Sequence, residues 1–213
     1  MRRPLLLPAL LLLPALGCGS TPAPAPQKEP RGARRFAFKD DLASNRETGK
    51  ELDGGAQASF VAPDGKVHQL TEWRGKALVL VFTRGFAGFV CPYCTTYTAQ
   101  LAERYQELVG LGADVLLVYP AKADDQETKA RFVKAVEDAL AEDGVAGIPF
   151  PVFLDPGLRA VQSFNLSGDL SKPSTFVLDA RGVVTYAYVG AAPDERPSVD
   201  RIVKELTALR AAQ

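Results

Sequence analysis

The sequence contains few of the residues from which metal and nucleic-acid sites are commonly built. Its 213 residues include one histidine, His68, and three cysteines. A structural zinc site takes four cysteine or histidine ligands, so this set leaves little room for one. The 25 basic residues are balanced by 25 acidic ones, and the formal net charge is zero. Because phosphate binding depends on accumulated lysine and arginine, we expect no nucleic-acid partner. We also expect no metal or other cofactor.

A hydrophobic run long enough to cross a bilayer is also missing. The apolar stretch at residues 5–16 is shorter than the roughly 20 residues of a membrane-spanning helix. It follows Arg2 and Arg3, and a positive start, a short apolar core and small residues are the layout of a secretory signal. Residues 15–18, ALGC, resemble the lipobox of bacterial lipoproteins, although alanine stands where leucine is more usual. The resemblance implies that Cys18 is lipidated; a plain signal peptide with an unpaired cysteine is the alternative.

We divide the chain into three segments. Residues 1–17 are the predicted signal peptide. Residues 18–50 are the lipidated cysteine and a flexible tether, because the Pro- and Ala-rich stretch at 19–26 cannot bury apolar surface. Residues 51–213 form one folded domain of ordinary size. Since several acyl chains give a lasting anchor, we expect an exported protein anchored to a bacterial membrane, on its periplasmic or outer cell-envelope side.

Beyond residue 55 the hydrophobic pattern alternates between strands and amphipathic helices. A continuous apolar run such as Ala77–Phe82 predicts a strand that is buried on both faces. The order of elements predicts an α/β fold with a central mixed sheet, flanking helices and an N-terminal β-hairpin. The predicted strands are 57–63, 66–70, 77–82, 114–119, 152–154, 174–178 and 183–189, and the predicted helices are 92–109, 124 onward, 158–164 and 197 onward.

Two cysteines, Cys91 and Cys94, are separated by Pro92 and Tyr93 at the start of a predicted helix. The unpaired backbone N–H groups and the dipole at such a start stabilise an anion, and the thiolate is the reacting form of cysteine. Pro92 suits the first helical position because its missing N–H would have no partner there. We assign Cys91 as the nucleophile and Cys94 as the resolving thiol that attacks a mixed disulfide.

Two other interpretations of this cysteine pair stay open. One is half of a zinc site, which would lack two of its four ligands. The other is an inert structural disulfide. In the chain-entropy account a cross-link stabilises more when it closes a longer loop, so a bridge across two intervening residues would stabilise the fold little. This favours a pair placed for reactivity.

The order of strand, loop, Cys-x-x-Cys and helix resembles the thioredoxin-like superfamily. Residues 172–179, KPSTFVLD, are similar to its second signature, which implies that Pro173 is cis and faces the cysteine pair. A trans proline that starts an edge strand is the alternative. Within the superfamily, residues 55–190 resemble the AhpC/TSA-type redoxins, the group that contains the peroxiredoxins. The hairpin region at 57–82 and the sequence FVCP at 89–92 carry this resemblance.

The sequence departs from these families at positions that matter for chemistry. Peroxiredoxins place a proline and a threonine before the reactive cysteine and an arginine before the later strand; here Arg84, Gly88 and Pro173 occupy those places. Arg84 is either a replacement cation that also lowers the pKa of Cys91 or a solvated loop residue. Thioredoxins bury a carboxylate where Val81 stands, so no internal base is predicted for the resolving thiol.

Two aromatic residues beside the pair are candidate supporting residues. Tyr93 either packs over the disulfide or lies on exposed surface. Phe89 either forms part of a docking surface for substrate or is simply buried in its loop.

These features favour an extracytoplasmic thiol–disulfide oxidoreductase that acts on protein or small-molecule thiols and disulfides. The alternative is an antioxidant thiol peroxidase, in which peroxide oxidises Cys91 to a sulfenic acid and Cys94 condenses with it. A third hypothesis is copper delivery by two cysteines and a distal histidine. No histidine follows the cysteine motif, which counts against copper delivery.

Overall fold

The computed structural model describes residue 40 and residues 58–85, 90–121, 126–142, 144–168 and 171–212. The signal peptide and Cys18 lie outside these residues, as do Gly88 and Phe89. The division of the chain into three segments therefore stays a prediction. In the part of the chain that is described, no helix is both long and apolar enough to cross a bilayer.

A seven-stranded mixed sheet forms the centre of the described residues, in the spatial order β2-β1-β5-β4-β3-β6-β7. The neighbours β3, β4 and β5 are parallel, whereas β6 is antiparallel to β3 and β7 is antiparallel to β6. This arrangement confirms the predicted α/β class with a mixed sheet. The strands are β1 (Ser59–Val61), β2 (Val67–Gln69), β3 (Ala77–Phe82), β4 (Ala113–Ala121), β5 (Val152–Pro156), β6 (Ser174–Leu178) and β7 (Val184–Val189).

The N-terminal hairpin is present and extends the sheet at one edge. Strands β1 and β2 pair antiparallel, and β1 joins β5 where Val61 lies opposite Leu154. A 3₁₀ turn at Leu70–Trp73 follows β2. The ring of Trp73 packs edge-on against Phe153 with 5.5 Å between ring centroids, so this residue fixes the hairpin against the sheet.

Helices cover both faces of the sheet. Alternate residues of a strand point to opposite faces, and β3 shows this directly: Val79 and Val81 belong to one core, Leu78 and Leu80 to the other. The first core lies under α1, α2, α3 and α5, and the second under α4. The helices in the described residues are α1 (Pro92–Glu103), α2 (Tyr105–Gly110), α3 (Gln126–Glu142), α4 (Arg159–Ser163) and α5 (Val199–Ala211).

The helix predicted over 92–109 is in fact two helices. At Arg104 the backbone leaves the helical region, with φ −103° and ψ 11°. The Arg104 side chain donates to Glu107 over 2.8 Å and to Asp200 on α5. The change of direction keeps Leu108 fully buried. Arg104 thus contacts α5, which is distant in the chain, and the local periodicity did not predict the break.

Candidate active site

Cys91 lies directly before α1, where the chain changes from extended to helical backbone. Its φ of −70° and ψ of 113° are extended, and Pro92 occupies the first helical position, as predicted. The carbonyl oxygen of Cys91 accepts hydrogen bonds from the backbone N–H of Thr95 over 3.1 Å and from the Thr95 hydroxyl over 3.2 Å. These bonds close the first turn and hold the Cys91 sulfur beside its N–H groups.

The two cysteines are free thiols in the structure, and their surroundings separate their acidities. A hydrogen bond from the Cys94 thiol lowers the pKa of Cys91 to about 6, against the effect of burial. The backbone N–H groups of Cys94 and Tyr93 and the charge of Arg196 act in the same direction. The same thiol hydrogen bond, together with burial, raises the pKa of Cys94 well above its usual range. At neutral pH this geometry favours a thiolate on Cys91 and a thiol on Cys94; their roles as nucleophile and resolving thiol stay predictions.

The sulfur of Cys94 receives donors from two distant parts of the chain. Only 2% of this residue is exposed. Its sulfur accepts hydrogen bonds from the backbone N–H of Arg84 over 3.3 Å and from Nη2 of Arg196 over 3.2 Å. Both interactions lower the pKa of Cys94, although Cys91 and burial raise it by more. The second sulfur therefore lies in a site that can hold negative charge.

The main chain of Arg84 is fixed on both sides. Its N–H donates to Cys94, and its carbonyl oxygen accepts from the backbone N–H of Ser171 over 3.3 Å. The next residue, Gly85, has φ +82°, and a Cβ there would lie 2.6 Å from the carbonyl oxygen of Pro120. Only glycine suits this close approach. The contact with the pair is thus made by the backbone of Arg84, while the cationic role predicted for its side chain stays a prediction.

Arg196 is a site residue that the sequence analysis missed. It lies between β7 and α5, 102 residues after Cys94, and is 3% exposed. Its Nη1 donates to the carbonyl oxygens of Pro193 over 2.9 Å and Glu195 over 2.8 Å, which leaves Nη2 directed at the sulfur. No motif spacing marks this arginine. Its one local signal is that it directly precedes Pro197, where the last helix was predicted to begin.

Pro173 is buried and directly precedes β6. The described residues contain no cis peptide bond, so the cis proline that the resemblance implied is wrong. The bond is trans, as in the alternative, but β6 lies between β3 and β7, so the edge strand of that alternative is wrong as well. A trans bond leads the chain extended into β6, and a proline just before a strand leaves no ladder hydrogen bond unmade. The carbonyl oxygen of Pro173 accepts from the N–H of Gly190 over 2.8 Å. Pro173 thereby contacts the start of the segment that carries Arg196; its role as a substrate-facing residue stays a prediction.

The residues around the pair include no carboxylate in the place of the thioredoxin acid. Val81 is buried in the same core as both cysteines. The hydroxyl of Tyr97 lies 3.2 Å from the hydroxyl of Thr175, and burial raises the pKa of Tyr97, so this phenol stays protonated. Tyr93 is half-buried and packs against this core. This placement is intermediate between the two that were predicted, packed over the disulfide or exposed on the surface.

A reactive cysteine at the start of the helix after β3, with a buried cysteine in the same turn, is the arrangement of a thiol-dependent redox protein. The sequence profile of the AhpC/TSA family matches residues 54–187, and the chain belongs to this family. It is therefore a redox enzyme, either a thiol peroxidase or a thiol oxidoreductase. The predicted membership of the AhpC/TSA group is confirmed.

Similar proteins are peroxiredoxins. The chain is 27% identical over 181 residues to the chloroplastic peroxiredoxin Q of Oryza sativa subsp. japonica, covering 82% of this chain and 72% of that protein. It is 25% identical over 144 residues to peroxiredoxin 2 of Thermoplasma acidophilum, covering 66% and 67%. The reduced 2-Cys peroxiredoxin of Plasmodium vivax has a similar structure, with a TM-score of 0.58 at 20% identity over 78% of this chain and 82% of that one. This likeness confirms the predicted thioredoxin-like fold.

Proposed function

We propose that this protein is an extracytoplasmic, membrane-anchored thiol–disulfide oxidoreductase that works through Cys91 and Cys94. The observation that carries the proposal is the opposed acidity of the two sulfurs. The pKa of Cys91 is lowered to about 6, mainly by the Cys94 thiol, whereas the pKa of Cys94 is raised. This supports a nucleophile that is ionised at neutral pH and a second thiol held within hydrogen-bonding reach of it.

In the reductive direction the Cys91 thiolate attacks one sulfur of a substrate disulfide. A bond forms between them, the substrate S–S bond breaks, and its electron pair leaves on the other substrate sulfur, which takes a proton from solvent. Cys94 then loses its proton and attacks the Cys91 sulfur, which releases the second substrate thiolate and leaves a Cys91–Cys94 disulfide. The substrate gains two electrons and the dithiol loses two. In the oxidative direction the same steps run backwards.

A thiol peroxidase is the second candidate, and the similarity to peroxiredoxin Q favours it. Here the Cys91 thiolate attacks a peroxide oxygen, the O–O bond breaks, and water or an alcohol leaves once protonated. Cys94 then condenses with the sulfenic acid to give a disulfide and water. Against this reaction, Arg84 and Pro173 occupy the places of two residues that peroxiredoxins use. We therefore prefer disulfide exchange.

Export and anchoring are proposed on the sequence alone. The signal-like start, the lipobox-like residues 15–18 and the Pro-rich stretch at 19–26 support a tethered domain over 51–213. Incorporation of labelled fatty acid into the full chain, with Cys18→Ser as the control, tests this part. We expect label in the parent and none in the variant; an unlabelled parent refutes lipidation and leaves the redox proposal intact.

The reaction is tested with the full chain carrying Cys18→Ser, so that only the two site cysteines remain. The reduced protein is mixed with a small protein disulfide or with hydrogen peroxide, and its oxidation is followed by stopped flow. We expect faster oxidation by the disulfide. Faster oxidation by peroxide would favour the second candidate, and no oxidation by either would reject both.

Variants of each cysteine separate the two roles. Cys91→Ser is expected to abolish both reactions, because the first bond can no longer form. Cys94→Ser is expected to leave the first step and to trap a mixed disulfide, detected as a mass increase equal to the substrate. If Cys94→Ser abolishes the first step and traps nothing, the assignment of roles is wrong.

A further inference from the structure

The guanidinium of Arg196 is buried without a carboxylate partner among the residues that the structure describes. Its hydrogen bonds go to the carbonyl oxygens of Pro193 and Glu195 and to the sulfur of Cys94. A buried cation is costly unless a negative charge lies beside it. Carbonyl oxygens carry only partial charge. In the reduced protein the Cys91 thiolate supplies a negative charge nearby, because Arg196 also lowers the pKa of Cys91, but the sulfur that the guanidinium contacts directly is that of Cys94.

We infer that Arg196 is a catalytic residue that stabilises the thiolate of Cys94 whenever that sulfur carries the charge. The reaction in this inference rests on the proposed function. The choice of residue rests on the buried 3.2 Å contact between Arg196 and the Cys94 sulfur. Nothing in the family resemblance pointed to this arginine, because it lies outside both signatures, between β7 and α5.

The charge appears on Cys94 in two steps of exchange. When an external thiolate attacks the Cys91 sulfur of the oxidised enzyme, a new S–S bond forms, the Cys91–Cys94 bond breaks, and its electron pair stays on Cys94. In the opposite sense, Cys94 must lose its proton before it attacks a mixed disulfide at Cys91. In both steps the guanidinium lies in place before the charge develops, so it lowers the barrier without reorganisation.

A second donor acts on the same sulfur, and its contribution differs in kind. The backbone N–H of Arg84 donates to Cys94 over 3.3 Å but brings no net charge. The charge of Arg196 lowers the pKa of Cys94, whereas the charge of Cys91 raises it. Removing the charge of Arg196 while the loop is kept therefore isolates its effect.

The test measures the ionisation of Cys94 without turnover. The background is the full chain with Cys18→Ser and Cys91→Ser, in which Cys94 is the only cysteine, and thiolate is followed by its ultraviolet absorbance against pH. A close opposite charge shifts a pKa by about one unit or more. Arg196→Gln is therefore expected to lower the acid ionisation constant of Cys94 by about tenfold or more. Arg196→Lys, which keeps the charge, is expected to restore most of it.

The matched control is Arg181→Gln, since Arg181 is 80% exposed and pairs with Asp179. It is expected to leave the Cys94 titration unchanged. The inference is overturned if Arg196→Gln keeps its circular dichroism spectrum and titrates within about threefold of the parent. If Arg196→Gln does not fold, Arg196→Lys is the deciding variant. A tenfold lower ionisation constant of Cys94 in Arg196→Lys, which keeps the charge, would also overturn the inference. Failure of the proposed function looks different, because the parent with both cysteines would then not exchange disulfides even though Cys94 responds to Arg196.

Discussion

Gly190 lies directly against Pro173 and leaves no room for a side chain. Its N–H donates to the carbonyl oxygen of Pro173 over 2.8 Å. A Cβ at this position would lie 2.8 Å from the carbonyl oxygen of Glu195 and 3.0 Å from Cγ of Pro173. The same Glu195 carbonyl accepts from Nη1 of Arg196. The close approach of Gly190 to the Glu195 carbonyl, beside the ring of Pro173, therefore helps to place the arginine at the cysteine pair.

Gly190→Ala is expected to displace the segment that carries Arg196. A methyl group would meet the backbone carbonyl oxygen of Glu195 and the ring of Pro173. Neither can yield as the end of a flexible side chain would, so we expect a loss of about 1–3 kcal/mol in the free energy of unfolding, typical of overpacking. Because the cation moves away from the sulfurs, the alkylation of Cys91 near neutral pH is expected to slow. Urea denaturation and iodoacetamide kinetics measure the two effects.

Gly110→Ala is the matched control for this prediction. A Cβ at Gly110, at the end of α2, meets no atom within 4 Å. Replacement there is expected to be neutral or to stabilise by up to about 1 kcal/mol, with unchanged alkylation. Equal stability and equal alkylation rates in the two variants would show that the contact with Pro173 does not position the site.

The reactivity of Cys91 is expected to follow a titration with its midpoint at about pH 6. The Cys94 thiol, the N–H groups of the first helical turn and Arg196 lower the pKa of Cys91 to that value. Deprotonation creates the nucleophile, so the alkylation rate should be high above the midpoint and fall about tenfold for each pH unit below it. The measurement uses the reduced full chain with Cys18→Ser, and the label is located by peptide mass.

Cys94→Ala tests the largest cause of this low pKa. Alanine has no side-chain hydrogen-bond donor, so the Cys91 thiolate loses the bond from the Cys94 thiol, and the midpoint is expected to move upward, towards the ordinary cysteine value. A midpoint near pH 9.0 in the parent, which is that ordinary value, would contradict the assignment of Cys91 as the ionised sulfur.

The elements that the sequence predicted well are those specified by local patterns. Strands β3 and β6 occupy the predicted residues 77–82 and 174–178. Helix α1 begins at Pro92 because the proline and the cysteine before it define a helix start. Both signals lie within a few residues of the structure that they specify, so no knowledge of the rest of the chain was needed.

The parts that the sequence did not predict depend on contacts between distant residues. The break at Arg104 involves Asp200 on α5, and Arg196 reaches Cys94 across 102 positions. No periodicity or spacing rule carries such a pairing. The cis geometry expected at Pro173 failed for a different reason: it was taken from the resemblance, whereas the rule for prolines at the start of strands allowed the trans bond that is observed.

Asp155 is expected to support the fold independently of the redox chemistry. It is fully buried at the end of β5, where its Oδ1 accepts from the N–H of Ala160 and its Oδ2 from the N–H of Val161, each over 2.9 Å. An asparagine has only one acceptor oxygen, so Asp155→Asn leaves one buried N–H unpaired. We expect a loss of about 1–3 kcal/mol in the free energy of unfolding, with unchanged alkylation of Cys91.

Asp138→Asn, in an exposed pair with Lys134, is the control and should change stability by less than about 0.5 kcal/mol. Equal urea midpoints for the two variants would refute this role.

Asp40 links the N-terminal part of the chain to the start of α5. Its Oδ1 accepts from the backbone N–H of Ser198 over 2.6 Å and its Oδ2 from the Ser198 hydroxyl over 2.7 Å, while Ser198 Oγ accepts from the N–H of Arg201 over 3.0 Å. A carboxylate and a serine thus share the cap of one helix, and the carboxylate also favours the positive end of its dipole. Asp40 belongs to the segment 18–50 that was predicted to be a tether.

Asp40→Ala is expected to destabilise the domain by about 1 kcal/mol, as the loss of a helix cap does, and the loss should shrink at high salt. Asp64→Ala, which removes an exposed partner of Lys66, is the control and should have little effect. Because Asp40 and Ser198 act on the same helix end, the double variant with Ser198→Ala should lose less stability than the two single variants added together. Strict additivity in urea denaturation would mean that the two residues act independently, and that the segment before the domain contributes nothing through this contact.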